Sequence, residues 1–212
     1  MRGDFLAYGE RPEAARPLLM KALTLGEASG RAQALASEAL GYLHFRANEH
    51  TDAARWFNRA TRDPSGSHLA FFYRAIVSLA VSGSGDSAGE RTPESVSASV
   101  ERDLRRSIEL NPGFAPAYSR LSGLLEREGR LDEAADIAAW AAELEPDNGR
   151  YWVDTGLLLL QLSRVEEAVA AGEQALRVAR DEGIRALALS LLQSLGAQRG
   201  IAVQRGAGAQ IR

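Results

Sequence analysis

Apolar residues recur three and four apart through one segment after another, the spacing of helices that each bury a single face. The pattern predicts helices over 11–26, 31–47, 51–62, 67–81 and 93–110, and again over 115–128, 131–144, 149–162, 165–180 and 184–197. Short turns join them, and helix breakers mark several ends: the glycines of 26–30, Asp63-Pro64, Gly129 and Pro146. Thr92-Pro93-Glu94 restarts a helix, with the threonine as cap and the proline in the first turn. The polar stretch 82–92, SGSGDSAGERT, reads as a flexible insert between two helices.

A fixed period organises these helices. Leu110 and Leu144, Pro112 and Pro146, Tyr118 and Trp152, Glu133 and Glu167, Ala134 and Ala168, and Ala141 and Ala175 are each 34 residues apart. Ala134 and Ala141 are seven apart, two turns along one helix face, where a small side chain lets neighbouring helices approach. The same spacing recurs at Ala53/Ala60 and Ala15/Ala22, and Leu40-Gly41 supplies a Leu-Gly pair ahead of Trp56 and Phe57. From Ala53 to Val100 there are 47 residues, one period enlarged by the glycine- and serine-rich insert.

On these residues the chain resembles the tetratricopeptide repeat (TPR), whose pattern is an aromatic, a Leu-Gly pair, small residues seven apart and a closing proline. The resemblance covers about nine tenths of the chain. It is strongest over 34–64 and 108–180 and weaker over 67–110, where Val100, Leu104 and Ser107 replace the usual small residues. It implies an all-α fold, a right-handed α-solenoid of about four to five helix-turn-helix hairpins. The repeat array is expected over 1–198, with an incomplete first hairpin at 1–27, the insert loop at 82–92 and a capping helix at 184–197. Residues 199–212 are expected to form a disordered tail.

Charge and composition narrow the function classes. The net charge is −3 over 212 residues, and the basic residues are scattered, so no basic field draws nucleic acid or an anionic membrane. Cysteine is absent, which removes disulfides, thiolate metal sites and a cysteine nucleophile. The first residues lack the apolar core of a secretory signal, and the longest apolar cluster, 156–160, is far too short to span a bilayer. The chain therefore reads as soluble.

No catalytic constellation assembles from the sequence. His44, His50 and His68 lack the i, i+4 spacing of a helical zinc site, and the acidic pairs Asp132-Glu133 and Glu166-Glu167 open helices, where acids suit the helix dipole. Gly85-Asp86-Ser87-Ala88-Gly89 matches the bare Gly-x-Ser-x-Gly pattern, but that chemistry needs a strand-to-helix turn and a polar linker supplies none. A non-enzymatic chain without cofactor or metal is expected.

The resemblance directs attention to the first helix of each hairpin, which lines the concave face in this family and binds proteins or peptides. The helix phase places Leu35, Glu38, Tyr42 and Arg46 there from one hairpin and Phe72 and Ile76 from the next. Arg127, Arg150, Val153 and Leu157 follow further along. An apolar centre flanked by arginines suits a peptide with hydrophobic anchors and an acidic group. Chaperone-binding members grip a C-terminal carboxylate with lysines and asparagines, whereas Glu38, Tyr42, Ser119 and Gly123 stand here, so a chaperone-tail adaptor is not expected. Two alternatives accompany the scaffold: an accessory C-terminal module of a larger, peptidase-like bacterial protein, and a structural scaffold that self-associates through open ends.

Overall fold

The computed structural model describes residues 12–24, 30–62, 66–83 and 92–209. Ten helices and no strand occur among them. In chain order they are α1 (Pro12–Thr24), α2 (Gly30–Arg46), α3 (His50–Ala60), α4 (His68–Gly83) and α5 (Pro93–Leu110), then α6 (Ala115–Arg127), α7 (Leu131–Leu144), α8 (Gly149–Gln161), α9 (Val165–Val178) and α10 (Glu182–Ala209). The chain is thus an all-α assembly of helical hairpins, as its period predicts. Two compact units divide it, Met1–Pro112 and Gly113–Arg212. The first residues of the expected incomplete hairpin, the Asp63-Pro64 break and most of the insert loop, including Ser87, lie outside the described residues.

The hairpin turn is built identically three times. Asn48, Gly129 and Ser163 occupy one repeat position and have φ of 58°, 77° and 59°. In each turn the next residue's N–H reaches back to the first helix at 2.9 Å: Glu49 to the His44 carbonyl, Arg130 to Leu125 and Arg164 to Leu159. The carbonyls of Glu49, Arg130 and Arg164 then accept from Ala53, Ala134 and Ala168, which starts the second helix. Glycine enters the left-handed region freely, asparagine tolerates it, and serine does so at a cost. Ser163→Gly is therefore expected to stabilise the protein by about 0.5–1 kcal/mol, read as a higher denaturation midpoint, while Gly129→Ala lowers it.

Small residues set how closely helices meet. In the unit from Gly113 the fully or nearly fully buried alanines 134, 138, 141, 168 and 175 carry the second helices against the first. A Cβ on Gly156 would lie 2.5 Å from Leu191 Cδ2, and one on Gly149 would lie 2.9 Å from Ile184 Cγ2, so these glycines admit α10. In the unit ending at Pro112, Ala15, Leu19, Ala36, Leu40 and Leu43 form one cluster and Ala53, Phe57 and Val77 another.

One boundary differs from expectation. The capping helix, expected over 184–197, runs over Glu182–Ala209, eleven residues into the tail expected over 199–212, because no proline follows Glu182 and glycine weakens a helix without forbidding it. The hairpin α4–α5 keeps its architecture despite lacking small residues. There Val100, Leu104 and Ser107 are fully buried, and Asp103 forms a two-armed ion pair with Arg74 of α4. Thr92 caps α5 as expected, its Oγ1 accepting from the Ser95 N–H at 3.2 Å.

Candidate peptide-binding surface

In the unit ending at Pro112, the first helices α2 and α4 bring the predicted residues to very different depths. Leu35 is half exposed and Arg46 exposed, whereas Glu38 is 3% exposed and Phe72 is buried. Tyr42 and Ile76 are half-buried. Tyr42 meets Tyr73 edge-on at 5.2 Å, and Tyr73 also touches Phe45, Phe57 and Phe72, so this face is a packed aromatic cluster. Burial pushes the Tyr73 hydroxyl up to about 12, with Tyr42 and Glu38 adding to the shift.

Helix phase predicts groove positions for Glu38 and Phe72, but the structure places both in the interior. Burial raises the Glu38 pKa, partly offset by the hydrogen bond that Ser67 Oγ donates to its carboxylate. The folded protein therefore holds this proton more tightly than the unfolded chain. Its contribution to stability is fully present below the ordinary value of 4.5 and is lost as the pH rises through the folded value. Glu38→Gln keeps an acceptor for Ser67, so melting curves should show a higher Tm than wild type at pH 7 and no gain at pH 4.

In the unit from Gly113, α6 and α8 carry the remaining residues. Val153 is 1% exposed and packs with Ala175 and Ala188, so it too belongs to the core. Leu157 is 40% exposed. Arg150 is exposed, and its Nε donates to both Asp154 carboxylate oxygens at 2.9 and 3.1 Å. Arg127 is exposed and donates from Nε to the Gly123 carbonyl at 3.1 Å. Gln161 Nε2 donates to Glu126 Oε1 at 2.6 Å, which ties the outward faces of α6 and α8 together. Burial raises the Asp154 pKa, opposed by Arg150. Arg127 and Arg150, expected to await an acidic ligand, thus already have partners, although an exposed i, i+4 ion pair such as Arg150–Asp154 is worth only about 0.3–0.5 kcal/mol and exchanges readily.

Gly123 sits mid-helix on this face, and a Cβ there would meet nothing within 4 Å. No packing need accounts for it, although a helix-interior glycine costs about 0.5–1 kcal/mol against alanine. A cleft of about 520 Å3 lies apart from the α6–α8 face, at the turns before α8 and α10, lined by residues including Asp147, Asn148, Arg180 and Asp181. Helix phase missed it because turns rather than helix faces make it.

His44 Nδ1 lies 2.5 Å from Glu49 Oε2 across the α2–α3 turn, five residues on, and Asp52 completes a group whose ligand atoms lie within 4.8 Å of one another. Each carboxylate already has a cationic neighbour, Arg16 for Glu49 and Arg55 for Asp52. His68 shares a polar contact with Asn111 and accepts a hydrogen bond from Ser107 at its backbone carbonyl, a packing role.

The sequence profile of the tetratricopeptide repeat matches residues 1–67 and 120–183, more than half of the chain. The chain belongs to the tetratricopeptide repeat family. Solved TPR structures agree with the fold. YrrB, described as a TPR protein with an unusual peptide-binding site, is 22% identical with a TM-score of 0.65, and the match covers 88% of this chain and 86% of that one. MamA is 19% identical with a TM-score of 0.63, over 81% of this chain and 90% of its own. The first TPR of Spaghetti (RPAP3), solved with the HSP90 peptide SRMEEVD, is 19% identical with a TM-score of 0.53, over 63% and 95%. None of the curated proteins compared matches the chain. Among the described residues no helix of this TPR chain is long and apolar enough to cross a membrane.

Proposed function

We propose that the chain is a non-catalytic, protein-binding TPR scaffold that takes an extended peptide on the outward face of α6 and α8. The observation that carries this reading is the open space at Gly123. It stands beside a strip of exchangeable polar groups, Glu126, Arg127, Arg150 and Asp154, with Leu157 as an exposed apolar anchor point. A missing side chain lets a ligand backbone approach closely, and helix-borne polar groups with an apolar centre suit peptide recognition. YrrB and the Spaghetti repeat are peptide-binding relatives in fold, which supports the class of function and leaves the ligand to this chain's own residues. On the α6–α8 face Ser119 and Gly123, standing where lysine or asparagine would be needed, speak against a carboxylate-gripping site of the chaperone-tail kind.

Peptides selected from a random display library on the wild-type protein test the proposal. A Gly123→Leu, Arg127→Glu double variant should bind them at least about tenfold more weakly, the loss of roughly 1.4 kcal/mol. Equal binding by both proteins, with circular dichroism showing both folded, would remove the α6–α8 face from consideration.

A further inference from the structure

We infer that His44, Glu49 and Asp52 at the α2–α3 turn form a binding site for a divalent metal ion of the zinc type. The inference is independent of the peptide-binding proposal and uses a different surface. It begins with the three turns of identical build. His44, Leu125 and Leu159 share one repeat position, Glu49, Arg130 and Arg164 a second, and Asp52, Glu133 and Glu167 a third. In two of the turns the set is closed: Arg130 pairs with Glu133 at 2.5 Å and Arg164 with Glu167 at 2.7 Å, while Leu125 and Leu159 are buried in the core. The α2–α3 turn departs at two of these positions together, with histidine in place of the leucine and glutamate in place of the arginine.

This double exchange removes a cation and leaves two carboxylates three residues apart at the start of α3, where like charges repel. It also brings an imidazole nitrogen to them. His44 Nδ1 stands 2.5 Å from Glu49 Oε2, and one donor atom from each of the three side chains lies within 4.8 Å of the others. The backbone fixes the grouping. The Glu49 N–H donates to the His44 carbonyl at 2.9 Å, and the Ala53 N–H donates to the Glu49 carbonyl at 2.9 Å, which sets Asp52 about one turn along from Glu49. The imidazole is only 14% exposed, so its neighbours hold the ring in place before any ion arrives.

One imidazole nitrogen and two carboxylate oxygens make a three-ligand set that suits zinc, with water in the fourth position. Tetrahedral zinc holds such atoms about 3.4 Å apart, so the His44–Glu49 contact opens slightly and Asp52 closes in, both by side-chain rotation. The ion takes the place of the proton shared by His44 and Glu49, and its two charges balance the two carboxylates. The cations facing the site are Arg16, 3.7 Å from Glu49, and Arg55, 3.0 Å from Asp52. Both arginines are exposed, and single exposed pairs of this kind yield readily to a stronger ligand. The ligands stand five and three residues apart across a turn instead of four apart on one helix, which is why the helical zinc spacing does not reveal them. Bound there, the ion ties the end of α2 to the start of α3 and stabilises the hairpin.

Isothermal titration of zinc chloride into the full chain decides the matter, using wild type, His44→Leu and Glu49→Arg. Each variant restores the residue type that the other two turns carry, and far-UV circular dichroism confirms that both are folded. Wild type should take up a single zinc ion per chain and gain in thermal midpoint, and each variant should bind at least about tenfold more weakly. Magnesium chloride should be held far more weakly than zinc, because an imidazole ligand suits zinc whereas the hard cation prefers oxygen alone. A wild type that binds no zinc would overturn the inference. So would zinc binding undiminished in either variant, or magnesium binding as tight as that of zinc, which would mark the carboxylates alone as the site.

Discussion

Replacing Asp103 by alanine is expected to cost about 2–3 kcal/mol of stability, the largest single effect outside the hydrophobic core. Asp103 is 5% exposed and Arg74 a quarter exposed at its side chain, so the arginine would keep its charge in a half-dry setting with no anionic partner. Removing one member of a fully buried pair costs about 3–5 kcal/mol, and the access of water to Arg74 reduces that figure. Thr61, which receives a third hydrogen bond from Arg74, holds the guanidinium in place and keeps it from swinging fully into solvent. The double replacement Arg74→Met, Asp103→Leu removes both charges together and should return the protein to within about 1 kcal/mol of wild type. Chemical denaturation of the two variants checks the pair. Equal losses in both would show that the ion pair contributes through packing volume alone.

Gly41→Ala should cost about 1–3 kcal/mol through overpacking. Its Cβ would lie 2.8, 2.9 and 3.0 Å from three ring carbons of Phe57. That ring is fully buried and stacks on Tyr73 at 5.7 Å, so it has no room to move aside. Phe57→Leu in the Gly41→Ala background should recover part of the loss, and a double-mutant cycle would register the coupling directly. Gly123→Ala should do the reverse and add up to about 1 kcal/mol of stability, read as a higher denaturation midpoint, since its Cβ meets open space. The contrast separates a glycine required by packing from one that packing does not require.

Much of the architecture was legible because it rests on local, periodic needs. The 34-residue spacing of Ala134 and Ala168 located the second helices, Leu40-Gly41 marked the close crossing over Phe57, and Thr92-Pro93 marked the start of α5. What escaped depends on neighbours distant in sequence. Arg74 and Asp103 are 29 residues apart with the insert between them, and nothing in either local sequence announces the pair that replaces the small residues of that hairpin. Ser163 adopts the left-handed conformation that Gly129 signals openly, because the repeat geometry imposes it on whichever residue stands there.

The candidate surface was only partly legible for a related reason. Helix phase identifies which side of a first helix a residue occupies but not how deeply the next helix covers it. Leu35, Arg127, Arg150 and Leu157 emerged exposed, whereas Val153 was covered as α10 packed Ala188 beside it and Glu38 was drawn under Ser67. The partners of the arginines were likewise hidden, although Arg150 and Asp154 stand at the i, i+4 spacing that predicts such a pair.

Chemical-shift mapping tests the central claim most directly. A library-selected peptide would be titrated into isotopically labelled protein, and the backbone amides that respond would be assigned. Responses centred on Gly123, Arg127, Arg150 and Leu157 are the predicted result. Responses confined to the turn cleft at Asn148 and Asp181, with the α6–α8 amides unmoved, would contradict the account.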